Sequence, residues 1–185
     1  MHKVISFALI LTLAITGKAQ TSVLPRFVQE WKAYTDSATN ITVKYPESWT
    51  LKTTNEKTIF ILKSPVESEA DSFNENLNMI VRVLPNGGDG VNFEQIAEAV
   101  ESKIWGAVDN FVLYYSKNLK WDGNEAKEVS YGGNSKTNGS ALKFTQRITL
   151  HQGRMILVTY TFEGGTKTDI YGETVQKIIN GIKFN

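Results

Sequence analysis

The chain contains no cysteine. That absence excludes disulfides, thiol nucleophiles, thiolate zinc sites and iron–sulfur clusters. Histidine is almost as scarce. Of the two present, His2 lies in a segment read below as a signal peptide, which leaves His151 as the one imidazole of the mature chain. A single imidazole excludes His-rich metal sites and makes His151 the sole candidate base for a Ser-His-acid triad. It precedes Gln152-Gly153 in a turn, where a solvated surface histidine is the expectation. Basic blocks are also missing, so the chain is a poor candidate for nucleic acid or an anionic membrane surface. Only four prolines occur, and no Pro-rich linker or internal repeat divides the sequence. A bilayer-spanning helix needs roughly 20 apolar residues, whereas the longest run, 4–15, has twelve and is broken by Ser6 and Thr12.

That run is instead read as the h-region of an export signal. Lys3 supplies a positive n-region, and Gly17-Lys18-Ala19 places small residues at the positions a signal peptidase reads. Residues 1–19 are the expected signal peptide, 20–32 a leader, and 33–185 a single domain. No cysteine lies near the cleavage site, which excludes a lipid-modified one. Loss of Lys3 and Lys18 leaves 18 bases against 19 acids, a mature net charge of −1. The remaining length suffices for one good core.

What is present is alternation. Ile41, Val43 and Tyr45 alternate with Thr42 and Lys44, and Pro46 ends that strand. Trp49 and Leu51 open another short strand, 55–57 reads as a hairpin turn, and 58–62 is apolar on both faces. The stretch from Phe73 to Leu84 reads as a long strand through the middle of a sheet. Leu77, Met79, Val81 and Val83 share one face, and Ile80 and Leu84 the other, so the strand is expected to be covered on both sides. The Gly-rich segment 85–90 is a loop, and Asn92 with Gln95 forms a capping-box-like start to a helix. Its apolar stripe is Phe93, Ile96, Ala97, Val100 and Ile104. Strands follow at 111–121 and 125–131, separated by Asp122-Gly123, a tight-turn signal. Residues 142–150 and 154–162 form the clearest hairpin. Thr166 or Thr168 is the expected cap of a last helix with Tyr171, Val175, Ile178, Ile179 and Ile182 on one stripe. The fold class is α+β, an α-β-α sandwich with about six to eight mostly antiparallel strands and helices on both faces.

Particular residues then carry a resemblance. Tyr45-Pro46-x-x-Trp49 is followed by Ile59-Phe60-Ile61-Leu62-Lys63-Ser64-Pro65 and by Phe73-x-Glu75-Asn76-Leu77-Asn78-Met79. With the Gly153-Arg154 turn and the closing helix, this series resembles the PsbP-like family over about residues 33–184. The resemblance implies an α-β-α sandwich around an antiparallel sheet. Members include an extrinsic subunit of plant photosystem II, a nuclear-transport protein that binds the Ran GTPase, and many bacterial envelope proteins without an established activity. None works through a catalytic motif transferable to this chain.

The expectations that follow are therefore of a binding kind. They describe an exported, periplasmic or secreted, non-catalytic domain that binds another protein of the cell envelope. The alternative is a small-molecule or lipid carrier using a groove between sheet and helix, and a hydrolase with paired carboxylates comes third. No cofactor, metal, nucleic acid or membrane insertion is expected once the signal is removed, and the domain is expected to be monomeric. Trp105, at a helix end, and Trp121, before a turn, are the candidate interface residues. Tyr45, Pro46, Trp49 and Phe73 are assigned structural roles. Glu75 and Asn76 are expected to anchor the entering loop by accepting backbone N–H groups. The acidic loop with Glu67, Glu69, Asp71 and Glu75 has no spacing typical of a calcium loop, and the Gly-rich loop at 86–90 lacks the residues of a P-loop.

Overall fold

A computed structural model describes residues 29–54, 58–69, 71 and 73–185. The expected signal peptide, most of the leader and the 55–57 turn lie outside these residues. The described chain forms β1 (Trp31–Asp36), β2 (Ile41–Pro46), β3 (Thr50–Thr53), β4 (Thr58–Lys63), β5 (Asn76–Val83), α1 (Phe93–Ile104), β6 (Asp109–Trp121), β7 (Asn124–Asn134), β8 (Ala141–His151), β9 (Arg154–Glu163), α2 (Gly172–Asn180) and β10 (Lys183–Phe184). Seven strands make one antiparallel sheet in the order β3-β4-β5-β9-β8-β7-β6, and β1-β2-β10 form a second, smaller sheet.

Strand alternation assigns the two faces of the large sheet. On one face, Leu77 and Met79 of β5 and Ile156 and Val158 of β9 pack with Val175, Ile178 and Ile179 of α2, with Ile182, and with Ile41, Val43, Tyr45 and Trp49 of the β1–β3 region. This is the main core, and the small sheet closes it. On the opposite face Ile104 of α1 and Val108 meet Val129 and Tyr131 of β7 in a smaller cluster, with Phe111 and Phe144 against it. The α+β sandwich with helices on both faces is thus the observed architecture.

The differences from expectation are local and physical. The middle strand of the seven is β9, not β5, which is third from one edge. Hairpin pairing with β8 on one side and β5 on the other gives β9 its central place, and sequence alternation does not encode strand order. Val83, expected to face inward, is 76% exposed because β5 outruns the cover at that end. The strand at the N-terminus begins at Trp31, ahead of the expected domain start. α2 starts later than expected: its cap position is Tyr171, not Thr166 or Thr168, and the Asp169 carboxylate accepts the Tyr171 N–H at 3.1 Å.

Two tight turns were legible. Asp122-Gly123 and Gln152-Gly153 both have positive φ at both positions, the geometry whose twist matches antiparallel strands. The second turn sits against the Gly-rich loop: the Leu84 N–H donates to the Gly153 carbonyl at 2.9 Å. A Cβ at Gly153 would lie 2.8 Å from the Gly87 carbonyl carbon and nearer still to its oxygen. In the 86–90 loop a Cβ at Gly88 would lie 3.1 Å from the Gly153 Cα, whereas Gly87 and Gly90 are open and supply positive φ. Gly153→Ala, forced into a left-handed φ against backbone, is expected to cost about 1–3 kcal/mol; urea denaturation of the variant checks this, and an unchanged midpoint would show that the two turns do not depend on contact.

Candidate functional site

α1 does not cover the whole of its face of the sheet. Asn92 caps it, accepting the Gln95 N–H at 3.2 Å as its sequence suggests. Of the apolar stripe, however, only Ala97 and Ile104 are buried. α1 packs chiefly on β7 and β8, leaving a gap between it and the same face of β5 and β9. The result is a groove of about 420 Å³ between helix and sheet. Its floor is Ile80 of β5 with Met155 and Leu157 of β9, and its wall is Ile96, Ala99 and Val100 of α1. That volume falls in the range of sites that hold small molecules, which are concave, mostly apolar and supplied with a few polar groups.

The polar groups are Arg82, Lys103, Gln146 and Tyr131. No carboxylate lines the groove among the described residues. Neither cation forms an ion pair among the described residues. Tyr131 is buried by an aromatic series, with Phe111 at 5.5 Å and Phe144 at 4.8 Å between ring centres. Burial pushes its phenol up to about 12. The hydroxyl stays protonated at neutral pH and is suited to donate a hydrogen bond, not to act as a base.

The opposite face carries a buried charge network. Glu128 accepts from Arg147 Nε at 2.8 Å, from Tyr115 Oη at 3.0 Å and pairs with Lys117 Nζ at 2.9 Å. Arg147 also donates to Asn180 Oδ1 at 2.7 Å, which ties β8 to α2. Glu128 and Arg147 are both almost fully buried. Every strong partner here is satisfied internally, so the network reads as structure, not as a reaction centre.

The residues singled out in sequence separate. Trp105 is 57% exposed and packs on Phe111 with ring centres 4.8 Å apart. Trp121 is not an interface residue: it is 2% exposed, donates its indole N–H to the Ile179 carbonyl at 2.8 Å and meets Phe184 edge-on at 5.0 Å. The Asp122-Gly123 turn beside it is covered by the C-terminal strand, because the Asp122 carboxylate accepts the Phe184 N–H at 2.9 Å and pairs with Lys183 at 2.7 Å. Those contacts hold the Asp122 carboxyl below its usual range, Lys183 contributing most. Tyr45, Pro46 and Trp49 are buried, and Trp49 meets Tyr171 edge-on at 5.5 Å. Phe73 is half-buried.

The loop is anchored by Asn74 and Glu75 instead of the expected Glu75 and Asn76. Glu75 is buried and accepts the Ser64 hydroxyl at 2.9 Å, a side-chain donor in place of the expected backbone one, while Asn74 donates to the Ser64 carbonyl at 2.8 Å. Asn76 enters the β5 ladder opposite Lys63 and Thr161, and its side chain has no hydrogen bond among the described residues. The acidic residues of this loop diverge: Asp71 accepts the Glu67 and Phe73 N–H groups and pairs with Lys167, while Glu75 turns to Ser64. His151 is not simply solvated. Its Nδ1 lies 3.3 Å from Asn124 Oδ1, its ring packs near Phe184, and its Nε2 is buried without a hydrogen-bond partner among the described residues. No serine hydroxyl hydrogen-bonds to it among the described residues.

Similarity to solved structures completes the description. The chain superposes on cyanobacterial PsbP from Synechocystis sp. PCC 6803 with a TM-score of 0.56 and 13% identity, covering 90% of this chain and 99% of that one. The fold is PsbP-like. The PsbP-like sandwich also superposes on LpqN of Mycobacterium tuberculosis, a protein involved in cell envelope biogenesis, with a TM-score of 0.57, 9% identity, and coverage of 83% of this chain and 89% of that one. A third similar structure is PA94 of Pseudomonas aeruginosa, a protein of unknown function, with a TM-score of 0.58, 12% identity, and coverage of 82% and 94%. No protein-family model matches the chain, and no curated protein matches it in sequence. At these identities the PsbP-like likeness establishes architecture, and function must be argued from the site. Among the described residues no helix is long and apolar enough to cross a membrane.

Proposed function

We propose that this is an exported, non-catalytic accessory domain of the cell envelope whose binding site is the groove beneath α1, and that it carries a small, mostly apolar molecule there. The observation that carries this reading is the 420 Å³ groove itself, with its apolar floor and wall. The carrier, the alternative in the sequence reading, is preferred here to the protein-binding role that composition and resemblance favoured. The export signal in the sequence and the envelope role of LpqN support the compartment.

The test fills the groove. Ala99 lies on the exposed side of α1 and lines the groove wall, so Ala99→Trp occupies the space with little demand on the core. Wild type is expected to bind a polarity-sensitive naphthalene dye saturably at one site, and the variant at least tenfold more weakly with an unchanged melting temperature. Absence of saturable binding by wild type, or equal binding by the variant, would remove the groove from consideration. A second reading, a protein partner, is favoured by exposed Trp105 and by the exposed run Val112, Leu113, Tyr114 and Tyr115 on edge strand β6. It predicts a stoichiometric protein retained by the mature domain and insensitive to Ala99→Trp.

A further inference from the structure

The cations of the groove identify the chemistry of its occupant. The groove combines two kinds of lining: Ile80, Leu157, Ile96 and Val100 provide apolar surface, while its charged residues among those described, Arg82 and Lys103, are both basic. The mature chain is close to neutral overall, so this sign bias belongs to the groove and not to the whole surface. Neither cation has an ion-pair partner among the described residues. The Tyr131 hydroxyl is a third donor without a hydrogen-bond partner among them. Three donors, with no carboxylate among the described lining residues, favour an anionic group, since charge-assisted hydrogen bonds to carboxylate or phosphate are the stronger kind. The volume suits a chain of modest length. At roughly 30 Å³ for a unit about the size of a water molecule, 420 Å³ holds about 14 such units, room for one acyl chain.

Resting on the groove reading above, we infer that the ligand is a single-chain anionic amphiphile, its chain lying on the β5–β9 floor and its head held by Arg82 and Lys103. A free fatty acid and a single-chain phosphate ester share that chemistry. The experiment displaces the dye from the mature protein with twelve-carbon probes, each below its micelle concentration: dodecanoate, dodecyl phosphate, dodecanol and dodecyltrimethylammonium. The anionic probes are expected to displace the dye at least tenfold more tightly than dodecanol, and the cationic one least. Whichever of dodecanoate and dodecyl phosphate competes better identifies the head group. In Arg82→Met/Lys103→Met the advantage of the anionic probes is expected to vanish while dodecanol is unaffected and the melting temperature holds.

Equal displacement by dodecanol and the anions in wild type would overturn the inference and leave the groove reading intact. Dye binding that no probe competes with would do the same. Failure of the dye to bind at all would remove the groove reading and this inference with it. Flotation with phosphatidylglycerol vesicles provides the last arm: vesicle binding without dye displacement would assign the cations to a membrane surface and overturn the amphiphile.

Discussion

Glu128→Ala is expected to destabilise the protein by about 3–5 kcal/mol, because it strands a buried guanidinium. Arg147 is 4% exposed and Glu128 is 1% exposed. Without the carboxylate, Arg147 retains Asn180 and a long contact to Gln176 at 3.4 Å, neither of which carries charge. Lys117 and Tyr115 lose their common acceptor as well. The loss measures the isolated charge and not the net worth of the pair, since replacing both members of a buried pair by apolar groups is often neutral or stabilising. Glu128→Met/Arg147→Met is therefore expected to recover most of the stability lost by the single change. Urea denaturation of the three proteins at pH 7 decides it. A double variant no more stable than Glu128→Ala would mean that the ties to α2, not the buried charge, dominate.

The same pair gives a pH dependence of definite sign. Burial alone would raise the Glu128 carboxyl, but the hydrogen bond from Lys117 and the charge of Arg147 outweigh it and hold the group below its ordinary value. A carboxyl depressed in the folded state contributes stability that is present above its unfolded value of about 4.3. That contribution is lost as pH falls through the lower folded value. Glu128→Gln is accordingly expected to lose less stability than wild type between pH 7 and acid pH, and an identical acid loss would remove Glu128 from the cause.

Trp121→Ala is expected to cost about 3–5 kcal/mol, the range for emptying a large aromatic site in a core. The indole bridges elements far apart in the chain. It leaves the end of β6, packs on Phe184, lies beneath the Arg147 guanidinium at 5.4 Å, and donates to a carbonyl in the last turn of α2. That carbonyl belongs to the set that a helix leaves without its usual partners. Trp121→Phe keeps most of the volume and removes the donor, so a smaller loss of about 1–2 kcal/mol is expected. Thermal and urea denaturation of both variants, read by circular dichroism, separate packing from hydrogen bond. A loss below about 1 kcal/mol for the alanine variant would mean that the site is not part of the cooperative core.

Both predictions concern residues whose importance is hard to read in sequence. Glu128 is one more polar residue in an alternating strand, and Arg147 is another in β8. Their pairing follows from register, Glu128 lying directly opposite Arg147 across the β7–β8 ladder and opposite Lys117 across β6. Trp121 precedes a tight turn, a place that usually means exposure. It is buried because β10, two residues long, returns from the other end of the chain to pair with β2 and cover that turn.

The sequence by itself determined the elements that local physics controls: the alternation of β2, β8 and β9, the left-handed turn positions at Gly123 and Gly153, the Asn92 cap, and the apolar stripes of both helices. These depend on neighbours within a few residues, so period and turn chemistry suffice. It also determined the absence of cysteine chemistry. The tertiary structure alone decided the strand order, the second sheet, the Glu128–Arg147 pair and the groove. The α1 stripe illustrates the division. Its five apolar residues showed a helix lying on a sheet, and nothing in their spacing said that Ala97 and Ile104 would be buried while Ile96 and Val100 line a groove with β5 and β9 residues. An apolar residue meets the same periodicity whether it faces a core or a cavity. Which one it faces depends on where the helix axis crosses the strands, and that is set by packing across the whole sheet.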